Sequence, residues 1–166
     1  MDLNINAAML LETNIEETLS ELAKSNINYI KIDFSFGNST LYNSKALLDC
    51  LSNNISKLEN IIFSNQDFLH YPLLFPLICK TILSISTIKN ITFTNCKLSI
   101  SEIGKILNIS NKFKNGIEIV FDNCDLPLEG VVIIKKYFKT KLSKSSILIN
   151  GYLLKMANDT TKENNI

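Results

Sequence analysis

The sequence predicts an α/β solenoid, an arc of about five to six strand–helix units with a parallel sheet on its concave side and helices on its convex side. The first observation behind this is an internal repeat. LENIIFSNQDF at 58–68, IKNITFTNCKL at 88–98, GIEIVFDNCDL at 116–126 and SSILINGYLL at 145–154 align at offsets of 30, 28 and 28 residues. The second is a change of period inside each unit: apolar residues recur at every second position over the aligned segments and at helical spacing between them. The third is polarity. A sheet covered by helices on both faces has continuously apolar strands, whereas Asn90, Thr92 and Thr94 alternate here with Ile91 and Phe93. One sheet face is therefore expected in solvent.

Each strand buries two apolar side chains in alternation: Ile61/Phe63, Ile91/Phe93, Ile119/Phe121 and Ile147/Ile149. Upstream, DLNINAAML and INYIKIDFSFGNSTL carry the same alternation, and the second admits two registers, with Phe34 or Phe36 as its second core position. Helices are expected near residues 15–25, 43–56 and 72–83. After Leu98, Ile103, Ile106 and Leu107 form one helical face, and Ser99 or Ser101 caps its start. After Leu126, Pro127 suits a first helical turn, with Val131, Ile134 and Phe138 on the inner face. Residues 1–156 thus form one domain, long enough to bury a core. The polar stretch 157–166 is expected to be disordered.

The aligned segments resemble the leucine-rich repeat, L-x-x-L-x-L-x-x-N/C-x-L. Ile88, Ile91, Phe93, Cys96 and Leu98 occupy all five marked positions. Leu58, Ile61, Phe63 and Phe68 match with Gln66 in the Asn/Cys place, and Gly116 and Tyr152 are further departures. A 28-residue unit with Cys at the turn and a full helix is similar to the ribonuclease-inhibitor-like class, over residues 58–154. The resemblance implies a scaffold used for recognition rather than catalysis. It also implies that Cys96 and Cys124 mark the turn after the strand, buried near backbone groups that have left the sheet, where a small side chain with weak hydrogen-bonding capacity is suitable. Stacked about 4.8 Å apart with parallel side-chain vectors, they fit a disulfide poorly.

Composition removes several other functions. The longest apolar run, YPLLFPLICKTILSI, contains Pro76 and Lys80 and falls short of the roughly 18 to 20 apolar residues of a membrane span. MDLNINAAMLLETNIEE turns acidic where a signal peptide would be apolar, so a cytoplasmic location is expected. Every one of the 17 basic residues is lysine, which argues against a nucleic-acid surface, where the guanidinium fork is favoured. That bias, with abundant Asn and Ile, is what an AT-rich genome produces, and a recognition module from an intracellular bacterium would suit a host-directed effector. The net charge of +1 is unevenly spread: residues 1–70 carry four Lys against nine acids and residues 71–166 thirteen against seven, −5 against +6. KKYFKTKLSK supplies much of the excess, as a solvated helix face or an electrostatic docking surface. Cys50 and Cys79 lack a CxxC or CxxH companion, His70 has no identifiable nucleophile, and GNST at 37–40 lacks the rest of a phosphate loop. No catalytic residue, metal or cofactor is expected.

The solvent face of the sheet then becomes the candidate site, for an unidentified protein partner. Asn60, Asn90, Glu118 and Ser146 form its first column, Ile62, Thr92, Val120 and Leu148 the second, and Ser64, Thr94, Asp122 and Asn150 the third. Ile62, Val120 and Leu148 are apolar where Thr or Lys would serve, a candidate binding stripe, although such residues also support strand propensity. Five or six strands of about 17 Å spaced about 4.8 Å apart offer roughly 400 to 500 Å². A standard interface needs roughly 800 Å² per partner, so adjoining loops or a helix edge must contribute. Asn65, Asn95 and Asn123 form another column, expected to stack as an amide ladder that satisfies turn carbonyls. The competing expectation is a doubly wound α/β enzyme or regulatory domain with a small-molecule pocket at the strand C-terminal ends.

Overall fold

The computed structural model describes residues 2–6, 27–33, 41–54, 57–140, 144–150 and 152–153, with residues 17, 20, 21 and 24 as separate helical positions. Six strands run parallel in chain order: β1 (Asp2–Asn6), β2 (Tyr29–Asp33), β3 (Asn60–Ser64), β4 (Asn90–Thr94), β5 (Glu118–Asp122) and β6 (Ser146–Ile149). A short antiparallel β7 (Tyr152–Leu153) follows at the edge. Helices α1 (Leu41–Asn54), α2 (Leu74–Ser84), α3 (Ile100–Ser110) and α4 (Leu128–Thr140) connect β2 through β6. The result is an open α/β sheet with sequential strand order and no reversal.

Register follows from the buried alternation. Ile30, Ile61, Ile91, Ile119 and Ile147 lie side by side across β2–β6, as do Ile32, Phe63, Phe93, Phe121 and Ile149. A one-residue slip would turn every one of them to the opposite face. All are buried except Ile149, which is half-buried at a strand end. Phe93 stacks on Phe63 and on Phe121 with ring centroids 5.7 Å apart in both pairs, and Phe68 meets Phe75 edge-on at 5.0 Å beneath them. Leu48 and Leu51 of α1, Phe75, Ile78 and Ile82 of α2, Ile103 and Ile106 of α3 and Ile134 of α4 complete this core.

The second core position of β2 is Ile32, paired with Phe63, and not Phe34 or Phe36, which lie outside the described residues. Apolar side chains at 30, 32, 34 and 36 keep a two-residue period throughout, so alternation alone fits several registers; pairing with β3 selects one. β1 continues it, with Leu3 beside Ile30 and Ile5 beside Ile32.

Helix starts follow local chemistry. Ser99, not Ser101, caps α3: its hydroxyl accepts from the Glu102 N–H at 3.4 Å while the Ser99 N–H donates to Glu102 Oε2 at 2.7 Å, a reciprocal capping box. Pro127 immediately precedes α4, and its carbonyl accepts from the Gly130 N–H at 2.9 Å. Gly130 allows α4 to approach α3, since a Cβ there would stand 2.3 Å from Ile103 Cδ1. No helix among the described residues is long and apolar enough to cross a membrane. The helix expected near 15–25 falls mostly outside the described residues, as do the Phe138 side chain and the tail 157–166.

Candidate functional site

Sheet pairing brings the expected columns together. Asn60, Asn90, Glu118 and Ser146 lie in one row and Ile62, Thr92, Val120 and Leu148 in the next, all half-buried. Asn90 Nδ2 donates to Asn60 Oδ1 at 2.6 Å, and Asn60 Nδ2 to the Asn28 carbonyl at 3.4 Å. Lys31 heads the second row on β2, a member hidden by the ambiguous register of its strand. Thr94 is half-buried and Asp122 exposed in the third row.

Two members of that third row are placed differently. Ser64 is 1% exposed, and its hydroxyl donates to the Ile32 carbonyl at 3.4 Å. It belongs to the packed interior and not to an exposed grid. Asn150 leaves the strand: it follows the end of β6, where Ile149 pairs antiparallel with Tyr152 and Leu148 with Leu153, and it has φ 48°. Asn-Gly between apolar residues is a strong hairpin signal. Alignment to the repeat concealed it.

At the strand C-terminal ends the chain turns through Asn65, Asn95 and Asn123, whose φ values are 59°, 53° and 50°. Asparagine tolerates this left-handed conformation better than most residues. Their amides form the expected ladder, and its bonds run from amide to amide rather than to the turn carbonyls: Asn95 Nδ2 donates to Asn65 Oδ1 at 3.1 Å and Asn123 Nδ2 to Asn95 Oδ1 at 2.6 Å. Asn65 Nδ2 extends the ladder to Asp33 Oδ1 at 2.8 Å, and the Asn123 N–H donates to Asn150 Oδ1 at 2.7 Å. Beside the ladder runs an open trough of about 590 Å³ that also touches Asp67, Lys97 and Asp125.

One residue further on, Cys96 lies buried with Sγ 3.5 Å from the Phe63 carbonyl, and Cys124 Sγ is 3.2 Å from the Phe93 carbonyl. Each thiol thus reaches a carbonyl of the preceding strand. All four cysteines are free thiols. The Cys124 sulfur, together with burial, pushes the Cys96 thiol far above its ordinary value, while the same contact draws Cys124 down. Burial pushes Cys79 up to about 11. His70 Nδ1 meets Asp67 Oδ2 at 2.8 Å. Burial raises the Asp67 carboxyl, but His70 and the Leu69 N–H outweigh it and hold the group below its usual range. Among the described residues no three His, Cys, Asp or Glu side chains are placed to hold a metal ion.

At the opposite, N-terminal edge of β4–β6 lies a cavity of about 960 Å³ that shares Glu118 and Ser146 with the first row of the grid. Lys89, Lys112, Lys114 and Lys144 line it. The sequence shows these lysines only as a charge excess, because KFKNG and KSS precede different strands and the sheet alone brings them together.

No family model matches the chain, and no curated protein matches it. Among solved structures it is similar to a chain of "Structure of Chaetomium Mex67:Mtr2 subunits", with 13% sequence identity and a TM-score of 0.54 over 86% of this chain and 94% of that one. At that identity the likeness bears on the fold alone.

Proposed function

We propose that the chain is a leucine-rich-repeat solenoid of the ribonuclease-inhibitor-like class, acting as a non-catalytic protein–protein interaction module through its concave strand face and adjoining loops. The observation that most supports this is the columnar repetition. Successive units set Ile over Ile, Phe over Phe and Asn over Asn in one register, and the strands follow chain order. A doubly wound sheet places its ligand where strand order reverses. The trough at the strand C-terminal ends is the feature such an enzyme would use, yet its amides are engaged with one another. We extend the proposal to a cytoplasmic role, as a host-directed effector of an intracellular bacterium.

The test is affinity capture from lysate with Ile62→Lys, Val120→Lys and Leu148→Lys combined. These side chains are only half-buried on the sheet face, so the variant should keep the wild-type melting midpoint within a few degrees and lose its captured partner. Undiminished capture by a folded variant removes the strand face from the interaction.

A further inference from the structure

We propose that the cavity at the N-terminal edge of β4–β6 binds an acidic peptide segment bearing an apolar anchor. Lys89 precedes β4, Lys112 and Lys114 lie before β5, and Lys144 lies before β6, so three adjacent units bring four lysines to one cavity of about 960 Å³. Strands are about 4.8 Å apart and the Debye length is about 8 Å at physiological salt, so these charges repel one another through little screening. Lys89 is answered by Glu59 Oε1 at 2.6 Å. Lys112, Lys114 and Lys144 have no ion-pair partner among the described residues, and Glu118 is the remaining acid of the lining. Helix C-termini attract cations, and the ends of α2 and α3 lie near this edge, but that attraction does not select three unpaired lysines around one opening.

The lining is also apolar. Leu83 is 41% exposed, and Phe113 is half-buried in the same cavity. A concave site with an apolar floor and a cationic rim complements a side chain such as Leu or Phe flanked by carboxylates. Nucleic acid is less well served, since the chain has no arginine and a single aromatic residue lines the cavity.

The inference rests on the reading of this chain as a recognition module and adds the chemistry of what it recognises. Fluorescence anisotropy with a labelled Glu-rich peptide carrying a central Leu-Phe pair tests it. Lys112→Glu, Lys114→Glu and Lys144→Glu together should weaken binding at least tenfold, and replacing the peptide's Leu-Phe pair by Ser-Ser should do likewise. Lys80→Glu, Lys105→Glu and Lys135→Glu, the same change in net charge on exposed helix positions, should leave binding within twofold. Equal losses in the two lysine triples would reduce the effect to net charge and overturn the site. Stronger binding of a single-stranded oligonucleotide would overturn the ligand class. Loss of peptide in the Ile62, Val120 and Leu148 variant, with full binding by the folded Lys112, Lys114 and Lys144 variant, would sink the edge site while leaving the strand-face reading intact.

Discussion

Asn95 combines two roles that a neighbouring residue type cannot supply together. Its φ of 53° is left-handed, and its amide both donates to Asn65 and accepts from Asn123. Asn95→Ala should cost about 2 kcal/mol, about 1 from losing the short polar side chain that eases asparagine into that conformation and about 1 from lost hydrogen bonding. Asn95→Gly restores the conformation and should be the milder change in urea unfolding. Equal midpoints for the two variants would mean that φ is not what the asparagine supplies. Cys96 is the complementary case. With 1% exposure and its sulfur at the Phe63 carbonyl, Cys96→Asp buries a charge without a partner, at about 3 to 5 kcal/mol, a large share of the roughly 5 to 15 kcal/mol of an ordinary domain, and should lower the melting midpoint sharply. Cys124→Asp, at a half-buried position, should lose less, and a wild-type melting midpoint in the Cys96 variant would refute the structural role. The sequence alone shows the Asn and Cys columns. It does not show the sign of φ, nor that the stacked amides bond one another in place of the turn carbonyls, because both depend on how closely successive turns stack.

At the scale of elements, what the sequence reveals best is what repeats. The rows Ile61/Ile91/Ile119/Ile147 and Phe63/Phe93/Phe121 are legible as period-two alternation and appear as buried, in-register columns. The exceptions share a cause. The apolar alternation at 30, 32, 34 and 36 fits several registers until pairing with β3 selects one, and β6 turns back into an antiparallel pairing that its alignment with earlier units obscured. The contact between α3 and α4 is likewise invisible in either helix alone, and it yields a prediction. Gly130→Ala should gain about 0.5 to 1 kcal/mol of helix preference, but the new methyl would meet Ile103 Cδ1 at 2.3 Å in a fully buried setting. Overpacking of that kind typically costs about 1 to 3 kcal/mol, so the substitution should destabilise. Ile103→Val removes the opposing Cδ1, and in that background Gly130→Ala should become neutral or stabilising. The same loss in both backgrounds by urea unfolding would show that some other contact sets the need for glycine.

For the whole molecule, the decisive property is that each strand among the described residues contacts the strands before and after it, and each helix its neighbours in the same order. A sheet built that way holds a central unit through two interfaces and an outer unit through one. The phenylalanine stack deepens the asymmetry, since Phe93 of β4 sits between Phe63 and Phe121 with 5.7 Å to each while Ile32 and Ile149 occupy the corresponding places on β2 and β6. Opening should therefore begin away from β4 and move inward, because the first unit lost gives up one interface and no aromatic pair. Native-state amide hydrogen exchange should show the greatest protection in β3–β5, with protection falling stepwise toward β2 and β6. Phe121→Leu should lower protection in β5 and its neighbours more than in β2. Uniform protection from β2 to β6, or an equal drop in every strand on Phe121→Leu, would mean that the sheet opens as a single cooperative block, and the quasi-one-dimensional account of the molecule would fail.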